Sequence, residues 1–234
     1  MQNNRIKLVE ITKDGSPTLR MDGSFQNPEY TEPMHYSTGA ASETIYIYGE
    51  AIVRAQAILN VQLTHYLVVG LGLGYIEILI SLLSEGQFKR ILSFEKDQEL
   101  SKDFSHWLNG ENFKIYDQVT ASLLEQLKLK EVPDFKNSLK EKLTVTSALT
   151  TPDYQSFEKF NVICFDAFSS QMDETLWTDD FLNLFIKNYA AKQCVFASYA
   201  KTGALNRALK NNGFNPIQRK GFSSKRESSL SIRN

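Results

Sequence analysis

The chain has 234 residues, with 26 Lys or Arg against 27 Asp or Glu, so its formal net charge is −1. This length allows one large domain or one domain with extensions, and 42% apolar residues argue against a disordered chain. The near-neutral total argues against a protein that binds nucleic acid by charge over its whole surface.

The first 60 residues are predicted to form a β-rich extension. Asp14-Gly15-Ser16-Pro17 is typical of a turn, and the β-branched and aromatic run Thr44–Tyr48 favours a strand. A helix is predicted around residues 50–60. Residues 61–234 are predicted to form the main domain.

Strand and helix patterns alternate after residue 61. Tyr66–Val69 is a continuous apolar run, which is typical of a strand buried on both faces, and a glycine-rich loop and a helical pattern follow it. The later predicted strands are Arg90–Glu95, Leu143–Ala148, Asn161–Asp166 and Cys194–Tyr199, with strand-like runs near 214–220 and 226–233. Helices are predicted up to about Leu108, near 174–190 and at 202–211, with a Lys-rich helical insertion over about 111–142. The alternation predicts an α/β fold with a mostly parallel, doubly wound, Rossmann-like sheet.

The C-terminal segment is basic. Residues 201–234 contain eight basic side chains and one acid, so this segment is +7 and the rest of the chain is −8. Such asymmetry indicates a polyanionic partner at this end, although a solvated hairpin would show the same composition.

Metal binding and membrane insertion find little support in the sequence. Cys164 and Cys194 lie in apolar runs, as buried thiols do, and the three histidines do not cluster at ligand spacing. The longest apolar stretch, Leu67–Leu83, is interrupted by three glycines and Glu77. We therefore expect no metal, no membrane span and a cytoplasmic protein.

The loop after the first buried strand predicts a nucleoside site. Gly70, Gly72 and Gly74 would let a ligand approach the backbone, and Glu95 ends the next strand, where it could accept hydrogen bonds from two ribose hydroxyls. The G-x-G-x-G spacing resembles the first motif of Rossmann-like S-adenosylmethionine methyltransferases. An NAD enzyme is disfavoured because Tyr75 stands where the dinucleotide fingerprint has its third glycine.

Asp166-Ala167-Phe168 closes a later strand and predicts an acceptor site. A carboxylate followed by an aromatic residue resembles the motif of amine-directed methyltransferases. The carboxylate would orient an amine and accept its proton, and the ring would stack on a base. A capping aspartate beside a core phenylalanine is the structural alternative.

The sequence as a whole resembles the methyltransferase domain of MnmC-type and MnmD-type tRNA wobble-uridine enzymes. Six segments in order carry the resemblance: Thr12–Leu19, Glu32–Thr44, Gly70–Tyr75, Ser93–Lys96, Asp166–Trp177 and Gly213–Glu227. The resemblance implies methylation of 5-aminomethyluridine to 5-methylaminomethyluridine at the tRNA wobble position, with S-adenosyl-L-methionine as cofactor. It also implies that the basic C-terminal segment contacts the anticodon arm.

The resemblance and the residue patterns together give a set of candidate site residues. Asp166 is the candidate catalytic residue. The candidate cofactor residues are Gly70, Leu71, Gly72, Gly74, Glu95, Lys96, Ser147 and Asp166. The candidate substrate residues are His35, Glu43, Phe168, Trp177, Lys220, Phe222, Lys225 and Arg226.

The chain departs from the family pattern near both halves of this site. Val68 stands where most such methyltransferases have an acid, no acid follows the third strand until Asp153, and Ser169–Glu174 replaces a segment with a lysine and two prolines. Two alternatives therefore stay open. One is a methyltransferase of the same fold with another amine or small-molecule acceptor, and the other is a non-catalytic RNA-binding relative.

Overall fold

A computed structural model describes residues 7–21, 31–59, 63–129, 134–147, 149, 158–223 and 227–234. The described residues form two sheets with helices around the larger one. No described helix is long and apolar enough to cross a membrane.

The small sheet lies at the N-terminus. Strands β1 (Lys7–Ile11), β2 (Pro17–Met21) and β3 (Glu32–Pro33) pair antiparallel in the order β1-β2-β3. The turn predicted around Asp14 joins β1 to β2, and the Thr12 N–H donates to the Ser16 carbonyl at 2.9 Å.

The predicted strand at Thr44–Tyr48 is wrong, because this stretch is helical. It belongs to α1 (Ala40–Thr44), a π-helical turn (Ile45–Gly49) and α2 (Glu50–Ile58), which follow one another without a break. The side chains of Ile47, Tyr48 and Ile52 are buried in the main core. Tertiary packing on one side of a helix thus overrides the local β preference of these residues.

The large sheet has seven strands in the order β6-β5-β4-β7-β8-β10-β9. Its strands are β4 (His65–Val69), β5 (Arg90–Phe94), β6 (Leu143–Thr146), β7 (Phe160–Phe165), β8 (Ala190–Ser198), β9 (Asn215–Pro216) and β10 (Ser229–Arg233). The five strands from β6 to β8 are parallel, whereas β10 runs antiparallel to both β8 and β9. The predicted Rossmann-like α/β fold is confirmed, and the run near 214–220 contributes only two strand residues.

Helices cover this sheet. They are α3 (Tyr75–Leu83), α4 (Gln98–Leu108), α5 (Lys114–Leu127), α6 (Phe135–Lys142), α7 (Asp179–Tyr189) and α8 (Gly203–Asn211), with a 3₁₀ turn at Glu174–Trp177. Alternate residues of β4 enter two separate cores, with Val68 on one side and Leu67 and Val69 on the other. Residues 111–142 contain α5 and α6, and that this range is an insertion stays a prediction. The domain boundary at residue 60 stays a prediction.

Candidate active site

A cavity of about 350 Å³ opens at the carboxyl ends of β4, β5 and β7. The chain leaves β4 towards β5 and β6 on one side and later returns to add β7 and β8 on the other. Open α/β sheets bind ligands at such a switch point. Five carboxyl side chains and one lysine line the cavity: Glu32, Glu43, Glu95, Asp166, Asp173 and Lys96.

The glycine-rich loop forms the floor of the cavity. Gly70, Gly72 and Gly74 have φ values of 96°, 53° and 72°, in the left-handed region that favours glycine. A Cβ atom on Gly70 would lie 2.7 Å from the Asp166 carbonyl oxygen, and one on Gly74 would lie 2.2 Å from Phe104. Gly70, Leu71 and Gly72 line the cavity, whereas Gly74 lies behind it at the start of α3.

Glu95 follows β5 and is held by two backbone amides. Its Oε2 accepts the Gly72 N–H at 3.0 Å, and its Oε1 accepts the Asp97 N–H at 2.8 Å. Burial raises the pKa of Glu95, while these two hydrogen bonds oppose the rise. A carboxylate has about four acceptor positions, so each oxygen retains capacity to bind a ligand hydroxyl.

Asp166 follows β7, directly across from the first glycine. Its backbone N–H donates to the Val69 carbonyl at 2.9 Å, which fixes the strand end beside the loop. Its Oδ1 accepts a hydrogen bond from the Tyr48 hydroxyl at 2.5 Å. Tyr48 is a cavity residue that the sequence did not reveal, because its run was predicted to be a strand.

The N-terminal region supplies the opposite wall, including His35 and Glu43. The Glu43 Oε2 accepts the Tyr36 N–H at 2.7 Å, and the His35 Nδ1 lies 3.1 Å from the Thr18 hydroxyl. Asp14 fixes the start of α1, because its Oδ2 accepts the Ser42 N–H at 3.0 Å. The D-G-S segment therefore anchors the helix that carries Glu43.

The segment after Asp166 is tied to both sides of the cavity. The Ser169 hydroxyl donates to Glu32 at 2.7 Å, and Lys96 forms a 3.0 Å ion pair with Asp173. Burial opposes ionisation of Asp173, but hydrogen bonds from Thr175 and Lys96 leave its pKa below the ordinary value. This segment thus has its own polar contacts in place of the prolines of the family pattern.

The candidate residues divide into those that the cavity brings together and those that it does not. The candidates that line it are His35, Glu43, Gly70, Leu71, Gly72, Glu95, Lys96, Ser147, Asp166 and Phe168. The Trp177 indole is buried outside the lining and donates to the Phe168 carbonyl at 2.7 Å. Lys220 and Phe222 also lie outside it, beside Tyr46, whose hydroxyl donates to the Lys220 carbonyl at 3.0 Å. Lys225 and Arg226 lie outside the described residues.

The cavity residues fit a cofactor that carries a nucleoside and a polar tail. Bare glycine backbone lines the floor, and the half-buried Glu95 carboxylate stands at its edge, where ribose hydroxyls could bind. Gly70, Leu71, Gly72, Glu95 and Ser147 would hold such a cofactor. Asp166 lines the same cavity, and its backbone carbonyl lies beside Gly70.

Comparison with known proteins identifies the family and the fold. A family of S-adenosyl-L-methionine-dependent methyltransferases matches residues 111–234, which is more than half of the chain. The bifunctional protein MnmC of tRNA 5-methylaminomethyl-2-thiouridine biosynthesis from Hahella chejuensis (strain KCTC 2396) is 31% identical over 67 residues. That match spans 29% of this chain and only 10% of the relative.

A solved structure has the same fold over almost the whole chain. The crystal structure of MNMC2 from Aquifex aeolicus superposes with a TM-score of 0.65 and 23% sequence identity, covering 98% of this chain and 71% of that one. The likeness includes the N-terminal region as well as the central sheet. The chain therefore belongs to a family of S-adenosyl-L-methionine-dependent methyltransferases, with S-adenosyl-L-methionine as its cofactor.

Proposed function

We propose that the protein methylates the amine of 5-aminomethyluridine at the tRNA wobble position and so forms 5-methylaminomethyluridine. The observation that carries this proposal is the place of Asp166. Its side chain lines the same cavity as Glu95, and its backbone carbonyl oxygen lies beside Gly70 of the glycine-rich loop, 2.7 Å from where a Cβ atom on that glycine would be. Phe168 lines the cavity two residues further on, where a ring could stack on the uracil base.

The charge of the cavity suits a cationic acceptor. Five carboxyl groups against one lysine attract a protonated aminomethyl group and hold it near Asp166. The cofactor, when bound, supplies an electrophilic methyl group on a sulfonium. Asp166 takes the proton that the ammonium loses, so that the nitrogen lone pair becomes available for methylation.

The tRNA part of the proposal is supported by the relative and by the charge distribution. The name of the Hahella protein places it in tRNA 5-methylaminomethyl-2-thiouridine biosynthesis. The basic C-terminal segment, with Lys220 exposed and Lys225 and Arg226 beside it in sequence, is the part of the chain that we assign to the anticodon arm.

The test uses tRNA from cells that lack the methyl group at the wobble aminomethyl position. The purified protein and S-adenosyl-L-methionine are incubated with this tRNA, which is then digested for mass spectrometry of its nucleosides. We expect 5-aminomethyluridine to be converted to 5-methylaminomethyluridine by the wild type and not by Asp166→Asn. Conversion by Asp166→Asn at the wild-type rate would show that the catalytic assignment is wrong.

A different amine acceptor is the second candidate. The contacts of Ser169 with Glu32 and of Asp173 with Lys96 remodel the segment that borders the acceptor side. If the protein binds S-adenosylhomocysteine but leaves the tRNA unchanged, this candidate replaces the first. A panel of small primary amines would then be assayed for methyl transfer.

A further inference from the structure

Tyr48 touches the candidate catalytic carboxylate from inside the protein. Its side chain is 2% exposed, and its hydroxyl donates to the Asp166 Oδ1 at 2.5 Å. The Phe165 carbonyl lies 3.5 Å from the same hydroxyl. Burial, together with the neighbouring Asp166 charge, keeps the pKa of Tyr48 well above its usual range, so the phenol stays a hydrogen-bond donor.

The backbone that carries Tyr48 is unusual. Ile45–Gly49 is a π-helical turn between two α-helical segments, and such turns occur frequently at functional sites. A π-helical turn accommodates one more residue than an α-helical turn does, which changes the face that the following residues present. Glu43, Thr44, Ile47 and Tyr48, from α1 and this turn, all line the cavity.

Arg219 holds this turn from outside. Its guanidinium donates to the Ile47 carbonyl at 3.0 Å and lies 3.4 Å from the Tyr46 carbonyl, both within the π-helical turn. It also donates to the Ser229 carbonyl at 3.0 Å and pairs with Glu50 at 3.3 Å. The Arg219 side chain is only 6% exposed, so it links the start of β10 to the π-helical turn inside the protein.

We propose that Tyr48 is a positioning residue that orients the Asp166 carboxylate towards the acceptor, and that Arg219 maintains the π-helical turn that makes this contact. The proposal rests on the proposed function in taking Asp166 as the acceptor-side carboxylate. A hydrogen bond to the ionised form of a carboxyl group stabilises that form. The Tyr48 hydroxyl therefore fixes the direction of the Asp166 carboxylate and favours its charged form over its protonated form.

The first test measures the titration of the Asp166 carboxyl group directly and needs no substrate. Aspartate side-chain carboxyl carbons are followed by ¹³C NMR against pH, and the Asp166 signal is identified by its loss in Asp166→Asn. We expect Tyr48→Phe to raise the titration midpoint of Asp166 by about one pH unit, as loss of one hydrogen bond to a charged group does. An unchanged midpoint would overturn the positioning role.

Two further variants test whether the shift is specific to the contact between Tyr48 and Asp166 and whether it depends on Arg219. Tyr116→Phe is the matched control, because Tyr116 is equally buried, contacts the Leu100 carbonyl at 3.4 Å and lies outside the cavity lining. It should leave the Asp166 midpoint unchanged. Arg219→Lys keeps the charge but lacks the two guanidinium nitrogens that separately donate to the Ile47 and Ser229 carbonyls, and we expect it to raise the midpoint in the same direction. If the Asp166 midpoint of Arg219→Lys equals that of the wild type, Arg219 does not maintain the contact between Tyr48 and Asp166.

The second test is the pH profile of methyl transfer. The acid limb of the Tyr48→Phe profile should move to higher pH by the same amount as the NMR midpoint, while affinity for S-adenosylhomocysteine stays at the wild-type value. A lower rate with no shift of the limb would contradict the proposal. The NMR titration needs no tRNA. If the wild-type protein fails to methylate tRNA, the proposed substrate is wrong, and the positioning role of Tyr48 is still judged by the titration.

Discussion

Glu95 shows how one side chain can both build a loop and remain available for a ligand. Its two oxygens accept the N–H groups of Gly72 and Asp97, so the carboxylate fixes the glycine loop that forms the cavity floor. The remaining acceptor positions are the ones that we assign to ribose hydroxyls. Cofactor affinity should therefore depend on both oxygens.

We expect Glu95→Gln to weaken S-adenosylhomocysteine binding about thirtyfold, which corresponds to about 2 kcal/mol. The amide nitrogen of the variant is a donor and would face a backbone N–H where the wild type has an acceptor. Isothermal titration calorimetry measures the effect, with Glu125→Gln on the exposed face of α5 as the matched control. Equal affinities of the two variants for S-adenosylhomocysteine would show that the Glu95 carboxylate does not contribute to cofactor binding.

Helix α3 shows that a carboxyl group can reach the sheet from an unexpected element. Val68 on β4, where the family pattern has an acid, is paired with Ser93 on β5, and the Ser93 hydroxyl donates to Glu77 of α3. Glu77 is fully buried, and its Oε2 has no hydrogen-bond partner among the described residues. A carboxyl group therefore lies beside this part of the sheet although β4 carries none.

This carboxyl group predicts a pH-dependent stability. Burial raises the pKa of Glu77 from 4.5 to about 8, against the opposing hydrogen bond from Ser93. Between these pH values the unfolded chain has lost the proton and the folded chain keeps it, so stability falls as pH rises. The slope from this group is about 1.4 kcal/mol per pH unit.

Urea unfolding at pH 5 and at pH 8 tests this expectation. Glu77→Gln has no proton to lose, so its free energy of unfolding should rise relative to that of the wild type as the pH increases. Glu125→Gln, an exposed substitution, should follow the wild type at both pH values. Parallel pH dependences for Glu77→Gln and the wild type would show that Glu77 is already ionised in the folded protein.

The elements differ in how far the sequence predicts them. The parallel strands β4, β5, β7 and β8 are predictable because strands buried on both faces are continuous apolar runs. The helical run through Ile45–Gly49 is not, because its β-branched residues favour a strand locally. Its conformation depends on core packing and on Arg219, about 170 positions away in sequence. Tyr48 was missed for the same reason.

The charge asymmetry of the whole molecule is smaller in effect than the sequence suggests. Of the eight basic residues after position 200, several are used within the fold. Lys201 pairs with Glu227, Arg207 pairs with Asp179, Arg219 clamps the π-helical turn, and Arg233 donates to the carbonyls of Ala190 and Ala191. A tRNA would therefore meet fewer cations than the composition implies, and Lys220 is an exposed one on the described surface.

The exposed position of Lys220 leads to a quantitative expectation for tRNA binding. If Lys220 contacts a phosphate, Lys220→Ala should reduce the slope of log affinity against log salt concentration by about 1, and it should weaken binding of all tRNAs to a similar extent. Fluorescence anisotropy with labelled tRNA at several salt concentrations measures the slope. Lys102→Ala on the exposed face of α4 is the control and should keep the wild-type slope. When a phosphate contact is lost, binding of the tRNA releases fewer counterions and the slope must fall. A Lys220→Ala slope equal to that of the control would therefore place the RNA contact elsewhere.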